Sequence, residues 1–168
     1  MRRELLHAGM IAARSRGSWA GVLLEGASGA GKSDLALRAL DDGFRLVSDD
    51  RTVIWESGGV LFGRCPDPIA GLIEARGCGV LGEPAIPLAA VVLAVECVDP
   101  SYPLERLPDA RHRLIAGVRT PALRLRAFES SACAKLRRAL RHLGGAGQEA
   151  YHTASLGGGG RAGTGDTH

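Results

Sequence analysis

The sequence contains no asparagine and only two lysines, Lys32 and Lys135. Without asparagine, the Asn-Lys-x-Asp signature with which GTPases recognise guanine cannot be present. The net charge of +3 therefore comes from arginine. The densest arginine group, Arg137, Arg138 and Arg141, follows a predicted helix, a pattern more typical of a solvated or protein-docking face than of a clustered nucleic-acid site. We expect no nucleic-acid partner.

Paired cysteines and long apolar segments are also missing. Cys65, Cys78, Cys97 and Cys133 are far apart, which excludes zinc-type C-x-x-C spacing and a dense disulfide framework. We expect them to be small buried hydrophobic residues in a reducing compartment. The longest apolar run, 86–95, is too short to span a bilayer, and no signal-length apolar stretch follows the N-terminus. These absences predict a cytoplasmic protein with no membrane partner.

The chain divides into a long patterned region and a glycine-rich end. Its 168 residues fit one domain, which we predict to cover 1–143. Nine of the 25 residues from 144 to 168 are glycine, a composition typical of a flexible tail. Hairpins and crossovers are about equally frequent in the pattern, so we expect an α/β domain with a mixed sheet.

Apolar runs and periodicity predict the individual elements. We expect strands over 5–13, 19–25, 44–48 and 86–97, a hairpin of 53–55 with 60–62, and a short helical turn within 66–73. Helices are predicted over 32–40, ending at Gly43, and over 130–143, with Ser130 as the N-cap and Gly144 as the stop.

Residues 26–33 carry the strongest motif. They read Gly-Ala-Ser-Gly-Ala-Gly-Lys-Ser and fit G-x-x-x-x-G-K-[ST] between a predicted strand and a predicted helix. Glycines in such a P-loop allow backbone N–H groups to point at phosphate oxygens, Lys32 supplies a point charge, and the Ser33 hydroxyl can ligate Mg²⁺. The sequence therefore predicts binding of a nucleoside triphosphate, such as ATP, with Mg²⁺. The predicted binding residues are Gly26, Ala27, Ser28, Gly29, Ala30, Gly31, Lys32 and Ser33.

Two aspartates follow the predicted strand over 44–48, at the end of the strand where ligands gather in such sheets. One carboxylate of the pair Asp49 and Asp50 can hold Mg²⁺ directly or through water. The other, projecting to the opposite side of an extended backbone, can face the nucleophile as a proton acceptor. On the motif alone, an Asp-Asp turn before Arg51 stays an alternative.

Four segments together resemble the C-terminal catalytic domain of HPr kinase/phosphorylase. They are His7-Ala-Gly9, residues 26–34, Leu46-Val-Ser-Asp-Asp-Arg51 and Leu72-Ile-Glu-Ala-Arg-Gly-Cys-Gly-Val80. The resemblance implies a P-loop fold related to phosphoenolpyruvate carboxykinase. It also implies ATP-dependent phosphorylation of a serine of the phosphocarrier HPr, in regulation of a phosphotransferase system, and a homo-oligomer that is a hexamer in the family.

The resemblance also implies roles for individual residues. Asp50 would be the catalytic base, and His7 would lie near it or near the γ-phosphate. Asp49, together with Ser33 and Glu74, would hold the metal, and Arg76 would face phosphate charge. Outside the resemblance, His7 could be a structural histidine, and Glu74 with Arg76, two residues apart on one strand face, could form a surface ion pair.

The chain also departs from the family pattern. Family members carry a further N-terminal domain, whereas here the catalytic region starts at the first residues, as in the short alphaproteobacterial forms. Their basic loop has a Pro-Gly-Arg-Asn pattern, and Leu114-Ile-Ala-Gly-Val-Arg-Thr-Pro121 stands in its place, with Arg113 or Arg119 as candidate substitutes. This departure counts against the reverse, phosphorolytic reaction. A small-molecule kinase or carboxykinase relative and a non-catalytic nucleotide-sensing module remain alternatives.

Overall fold

A computed structural model describes residues 1–143. The predicted glycine-rich tail over 144–168, with the proposed helix stop Gly144, lies outside these residues. Within them the chain forms an α/β fold with strands in chain order over Arg3–Leu6 (β1), Gly9–Ser15 (β2), Ser18–Glu25 (β3), Arg45–Ser48 (β4), Thr52–Ser57 (β5), Val60–Arg64 (β6), Leu72–Ala75 (β7), Gly79–Gly82 (β8), Leu88–Cys97 (β9), Arg111–Ile115 (β10) and Val118–Leu125 (β11). The helices are Lys32–Asp41 (α1), Ala132–His142 (α2) and a 3₁₀ turn over Asp67–Ile69.

Nine strands form one mixed sheet, as predicted. Seven of them follow the order β1-β5-β6-β9-β3-β2-β4. Strand β11 pairs with the C-terminal half of β9, and β10 pairs with β11. Strands β3, β9 and β11 are parallel to one another, whereas β2 is antiparallel to both β3 and β4. The carboxyl ends of β4, β3, β9 and β11 therefore meet at one edge of the sheet, together with the start of β2. The hairpin of β7 with β8 forms a separate two-stranded sheet.

The two faces of the sheet pack into two apolar clusters. On one face, Val22 and Leu24 of β3 pack with Leu35 of α1 and Leu136 of α2. On the other face, residues of β2, β3 and β9 pack with Ile54 of β5 and Leu61 of β6. Alternating side chains of one strand thus enter different clusters, which is the period of two that a strand buried on both faces requires. None of the helices described within 1–143 is long and apolar enough to cross a membrane.

Three details of the fold differ from the sequence predictions. The single strand predicted over 5–13 is interrupted at His7 and Ala8, because β1 pairs with β5 whereas β2 pairs with β3 and β4. The N-cap of α2 is Ser131 rather than Ser130, and no side chain caps the helix. Cys78, expected to be buried, is exposed in the turn between β7 and β8.

Residues 114–121 belong to a hairpin that the sequence did not predict. This segment, which stands in the place of the basic loop of the resembled family, forms the turn and the adjoining halves of β10 and β11. Ala116 and Gly117 both have positive φ, 47° and 82°, as a two-residue type I′ hairpin turn requires. A tight hairpin therefore occupies this part of the chain.

Candidate active site

Residues at the ends of four strands of the large sheet surround one cleft of about 600 Å³. The P-loop follows β3, the two aspartates follow β4, His7 precedes β2, and a short segment after β11 closes the other side. Because the chain enters or leaves all these strands at the same edge, residues far apart in sequence come together there. This is the usual location of ligand sites in open α/β sheets.

The P-loop has the backbone that its glycines predict. Gly26, Gly29 and Gly31 all have positive φ, at 140°, 82° and 93°. Helix α1 begins at Lys32, so the free N–H groups of its first turn face the cleft. The Lys32 ammonium is buried and donates to the carbonyl oxygens of Gly26, at 2.7 Å, and of Ala27, at 3.2 Å. Its positive charge is thereby held within the loop, where phosphate would bind.

Asp49 connects the P-loop helix to the β7–β8 hairpin. One carboxylate oxygen accepts a hydrogen bond from the Ser33 hydroxyl at 2.9 Å, and the other accepts one from the Glu74 backbone N–H at 2.8 Å. Both oxygens of one carboxylate are thus fixed by different elements. The predicted metal residues Ser33 and Asp49 are direct neighbours, and Glu74 reaches them through its main chain.

Asp50 points away from Asp49 because of a turn in the main chain that the sequence analysis did not predict. The chain is not extended here: Asp50 has φ of 63°, and the Arg51 N–H donates to the Asp49 carbonyl at 2.7 Å. This three-residue turn is strained for a residue with a side chain. It directs the Asp50 carboxylate to His7, whose Nε2 lies 2.7 Å from Oδ1. Both side chains are more than half exposed, so the pair is open to a second reactant.

The β7–β8 hairpin contributes Glu74 and Arg76 to the rim of the cleft. Glu74 belongs to β7, but Arg76 lies just beyond its end, so the prediction that both lie on one strand is wrong for Arg76. Both residues are exposed and line the cleft. Among the salt bridges found within residues 1–143, none joins Glu74 to Arg76. The surface ion pair considered for these two residues is therefore not formed.

Four further residues line the cleft that sequence reasoning had not selected. They are Asp34, Leu37, Arg51 and Phe128. Arg51 was considered only as a neighbour of the aspartates, and its place in the motif after Asp50 could have identified it. Phe128 gives no such signal, because it follows a strand that was not predicted and lies 97 residues after Gly31.

The two arginines considered as substitutes for the basic loop are engaged elsewhere. Arg113 of β10 forms an ion pair with Glu25 at the end of β3. Arg119 of β11 lies 3.2 Å from the His112 ring. Neither lines the cleft, whereas Arg51 and Arg76 do. The structure therefore corrects this expectation and provides two other arginines at the rim.

Hard oxygen donors at the start of α1 fit a magnesium ion. The Ser33 hydroxyl and the Asp49 carboxylate are within hydrogen-bond distance and face the phosphate-binding loop. Over residues 1–143, no group of three or more His, Cys, Asp or Glu side chains could hold a metal alone. This agrees with Mg²⁺, which commonly takes one or two protein oxygens and completes its shell with substrate phosphates and water. The ligand role of Glu74 stays a prediction.

Cys97, at the end of β9, lies against Gly26 of the P-loop. A methyl group placed on Gly26 would lie 2.5 Å from the Cys97 carbonyl oxygen and 3.3 Å from its Cβ. Burial raises the pKa of the Cys97 thiol to about 11, against the opposing influence of Lys32 and Arg38. The thiol therefore remains neutral at physiological pH, and the positive charge of Lys32 has no thiolate beneath it to neutralise it.

The sequence is similar to known HPr kinase proteins. Residues 8–86 match the family model described as HPr Serine kinase C-terminal domain. The HPr kinase/phosphorylase of Clostridium acetobutylicum is 37% identical over 91 residues, which cover 54% of this chain and 30% of that protein. The Clostridium novyi HPr kinase/phosphorylase is 46% identical over 66 residues, or 39% of this chain and 22% of that protein. The matches thus span less than a third of these relatives.

A solved structure extends the similarity in fold to almost the whole chain. The Hpr(Ser) kinase/phosphatase from Coxiella burnetii superposes with a TM-score of 0.71 at 24% sequence identity. The match covers 92% of this chain and 99% of that one. The α/β fold with its mixed sheet is therefore confirmed, and the sequence similarity to the HPr Serine kinase C-terminal domain lies in residues 8–86.

Proposed function

We propose that this chain is an ATP- and Mg²⁺-dependent protein kinase that phosphorylates a serine of an HPr-like phosphocarrier in the cytoplasm. The observation that carries the proposal is the division of work between the two adjacent aspartates. Asp49 is tied inward to Ser33 and to the Glu74 main chain, whereas Asp50 is turned outward to His7 and the open cleft. A metal ligand and a proton acceptor need these two environments.

The P-loop residues would bind and orient the triphosphate. Backbone N–H groups of residues 28–33 would contact the phosphate oxygens, and Lys32 would exchange its carbonyl partners for the β- and γ-phosphates. Mg²⁺ held by Ser33 and Asp49 would neutralise charge on the phosphates. Arg51 and Arg76 lie at the rim, where they would face the charge of the transferring group.

Transfer would then require a proton acceptor beside the serine. The serine oxygen attacks the γ-phosphorus as its proton passes to Asp50, the bond to the bridging oxygen breaks, and ADP leaves with the electron pair. His7 occupies Oδ1 of Asp50, which leaves Oδ2 available for the proton. The exposure of Asp50 supports a serine carried on a protein surface, since such a residue can reach the carboxylate without a buried pocket.

The family resemblance adds two points to the proposal. We propose a homo-oligomer, with a hexamer as the specific expectation. We also propose that the forward reaction dominates, because the β10–β11 hairpin replaces the family's basic loop and Arg113 is paired with Glu25. Both points depend on the kinase proposal and would be tested after it.

A transfer assay tests the proposal. Purified protein is mixed with Mg²⁺, γ-labelled ATP and HPr from the same organism, with the Asp50→Asn variant and an HPr whose target serine is replaced by alanine. We expect label on HPr, lost with the serine replacement and reduced at least about a hundredfold by Asp50→Asn. Asp109→Asn, which removes the same charge from an exposed loop outside the cleft, is the matched control and should transfer normally.

The outcomes separate the candidate functions. Label on HPr that persists in Asp50→Asn would contradict the role of Asp50. No label on HPr, but label on a metabolite in a protein-depleted lysate, would favour a small-molecule kinase. ATP binding without transfer to any acceptor would favour a nucleotide-sensing module.

A further inference from the structure

An exposed phenyl ring borders the P-loop on the side opposite the aspartates. Phe128 is 54% exposed and lines the cleft, where most of the other lining residues are polar, charged or glycine. A methyl group on Gly31 would lie 2.9 Å from its Cζ and 3.1 Å from its Cε2. The ring edge therefore contacts the phosphate-binding loop itself, while about half of the side chain faces solvent.

The main chain on both sides of Phe128 is fixed. The Arg38 guanidinium of α1 donates to the carbonyl oxygens of Ala127 and, at 3.3 Å, Glu129, and it is held in turn by Asp34 at 2.8 Å. Ala127 is fully buried, and the Glu129 side chain pairs with Lys135 and Arg126. An exposed apolar side chain on such an anchored segment is preorganised for contact with a ligand, because little conformational entropy remains to be lost.

The strand order places Phe128 at the expected position of the nucleoside. Asp49 and Asp50 follow β4, two strands to one side of β3, and Phe128 follows β11, two strands to the other side beyond β9. Two strand spacings are about 10 Å. A triphosphate on the P-loop whose γ-phosphate faces the aspartates must therefore direct its nucleoside towards β11.

From these observations we infer that Phe128 is the residue on which the base of the bound nucleotide stacks. The inference rests on the proposed nucleotide-binding function and adds a specificity element to it. A phenyl face attracts any aromatic base and makes no directional hydrogen bond. Phe128 would therefore supply affinity for the nucleoside and little discrimination between adenine and guanine. Gly31 has a second role here, since a side chain at that position would displace the ring.

The test compares two ligands that differ in having a base. Binding of Mg-ATP and of Mg-tripolyphosphate is measured by calorimetry for the wild-type protein and for Phe128→Ala, Phe128→Leu and Phe128→Trp. Phe128→Ala should weaken ATP binding about tenfold and leave tripolyphosphate binding unchanged. Phe128→Leu should be intermediate, and Phe128→Trp should retain affinity and change its fluorescence with ATP but not with tripolyphosphate. Leu107→Ala, an exposed apolar residue outside the cleft, is the matched control.

Each result bears on the inference. Equal weakening of both ligands by Phe128→Ala would mean that the ring only supports the P-loop, and unchanged ATP binding would mean that the base lies elsewhere. Either result overturns the stacking role and leaves the kinase proposal intact. If the wild-type protein binds neither ligand, the nucleotide-binding function fails and the stacking role fails with it.

Discussion

The two sides of the P-loop are built differently. The acidic flank, which consists of His7, Asp49 and Asp50, holds exposed or half-buried charges in place through side-chain hydrogen bonds. The aromatic flank, Ala127 with Phe128, is apolar and is fixed through its main-chain carbonyl groups by Arg38. The first arrangement suits proton transfer and metal binding, and the second suits contact with a flat base. One cleft can therefore separate the chemistry of a reaction from the recognition of its co-substrate.

The largest expected effect concerns the acidic flank. In Asp49→Asn, the side-chain amide offers only one oxygen for the two donors, Ser33 Oγ and the Glu74 N–H, and the negative charge proposed to attract Mg²⁺ is lost. We expect Mg²⁺ affinity in the presence of ATP to fall about a hundredfold. Titration of Mg²⁺ at fixed ATP measures this, with Asp109→Asn as control. If metal affinity is unchanged, Asp49 only positions the β7–β8 hairpin.

The second largest effect concerns the contact between the aromatic flank and Gly31 of the P-loop. Gly31→Ala should lower the free energy of unfolding by about 2 kcal/mol more than Gly29→Ala. Both glycines have positive φ, 93° and 82°, but the new methyl group meets Phe128 and Ala127 at Gly31 and no atom within 4 Å at Gly29. Denaturant unfolding of the two variants gives the difference. Combining Gly31→Ala with Phe128→Ala should recover part of the lost free energy of unfolding. If the two glycine variants are destabilised equally, the contact between Phe128 and Gly31 does not contribute to stability.

The two flanks also differ in how far the sequence predicts them. The P-loop and the Asp49-Asp50 pair follow buried strands directly, so local pattern was sufficient to place them at one edge of the sheet. The outward turn of Asp50 was missed because φ of 63° depends on the hydrogen bond of Arg51 rather than on a glycine. Phe128 was missed because β11 reaches the site only through its pairing with β9, which depends on a crossover of many residues. Contacts set by strand pairing cannot be found from local periodicity.

The break at His7 illustrates the same limit. Residues 5–13 have the composition of one continuous strand, but β1 and β2 take different partners, and the change of partner occurs at His7 and Ala8. That interruption frees the His7 ring to turn towards Asp50. The sequence thus predicted which residues meet in the cleft more completely than the backbone conformations that orient them.

The third effect concerns the buried support of the loop. The pKa of the Cys97 thiol is raised by burial from its ordinary value near 9 to about 11. Between these values the unfolded chain loses the proton and the folded chain keeps it, so stability is complete below pH 9 and decreases as pH rises towards 11. At pH 10 the wild-type protein should lose about 1.4 kcal/mol more than Cys97→Ala, each relative to its own value at pH 8.

Denaturant unfolding of the two proteins across this pH range measures the difference. Cys65 and Cys133, whose thiol pKa values are also raised by burial, are present in both proteins, so their contributions cancel. Parallel curves for the wild-type protein and Cys97→Ala would show that the Cys97 thiol is hydrated in the folded protein and that its pKa is not raised.

The smallest effect separates the two flanks most directly. Arg38→Met keeps the length of the side chain in α1 but removes the donors to the Ala127 and Glu129 carbonyl groups. The aromatic flank should then sample more conformations, and ATP affinity should fall about threefold, the loss expected from one or two hydrogen bonds. Tripolyphosphate affinity and the Mg²⁺ requirement depend on the P-loop and the acidic flank, so both should change less than ATP affinity, although Asp34 loses its ion pair with Arg38. Arg141→Met, which removes an exposed positive charge from α2, controls for net charge. If Arg38→Met weakens both ligands equally, α1 transmits the change to the phosphate site and the flanks are coupled. If it weakens ATP alone, the loop binds its phosphates independently of the segment that receives the base.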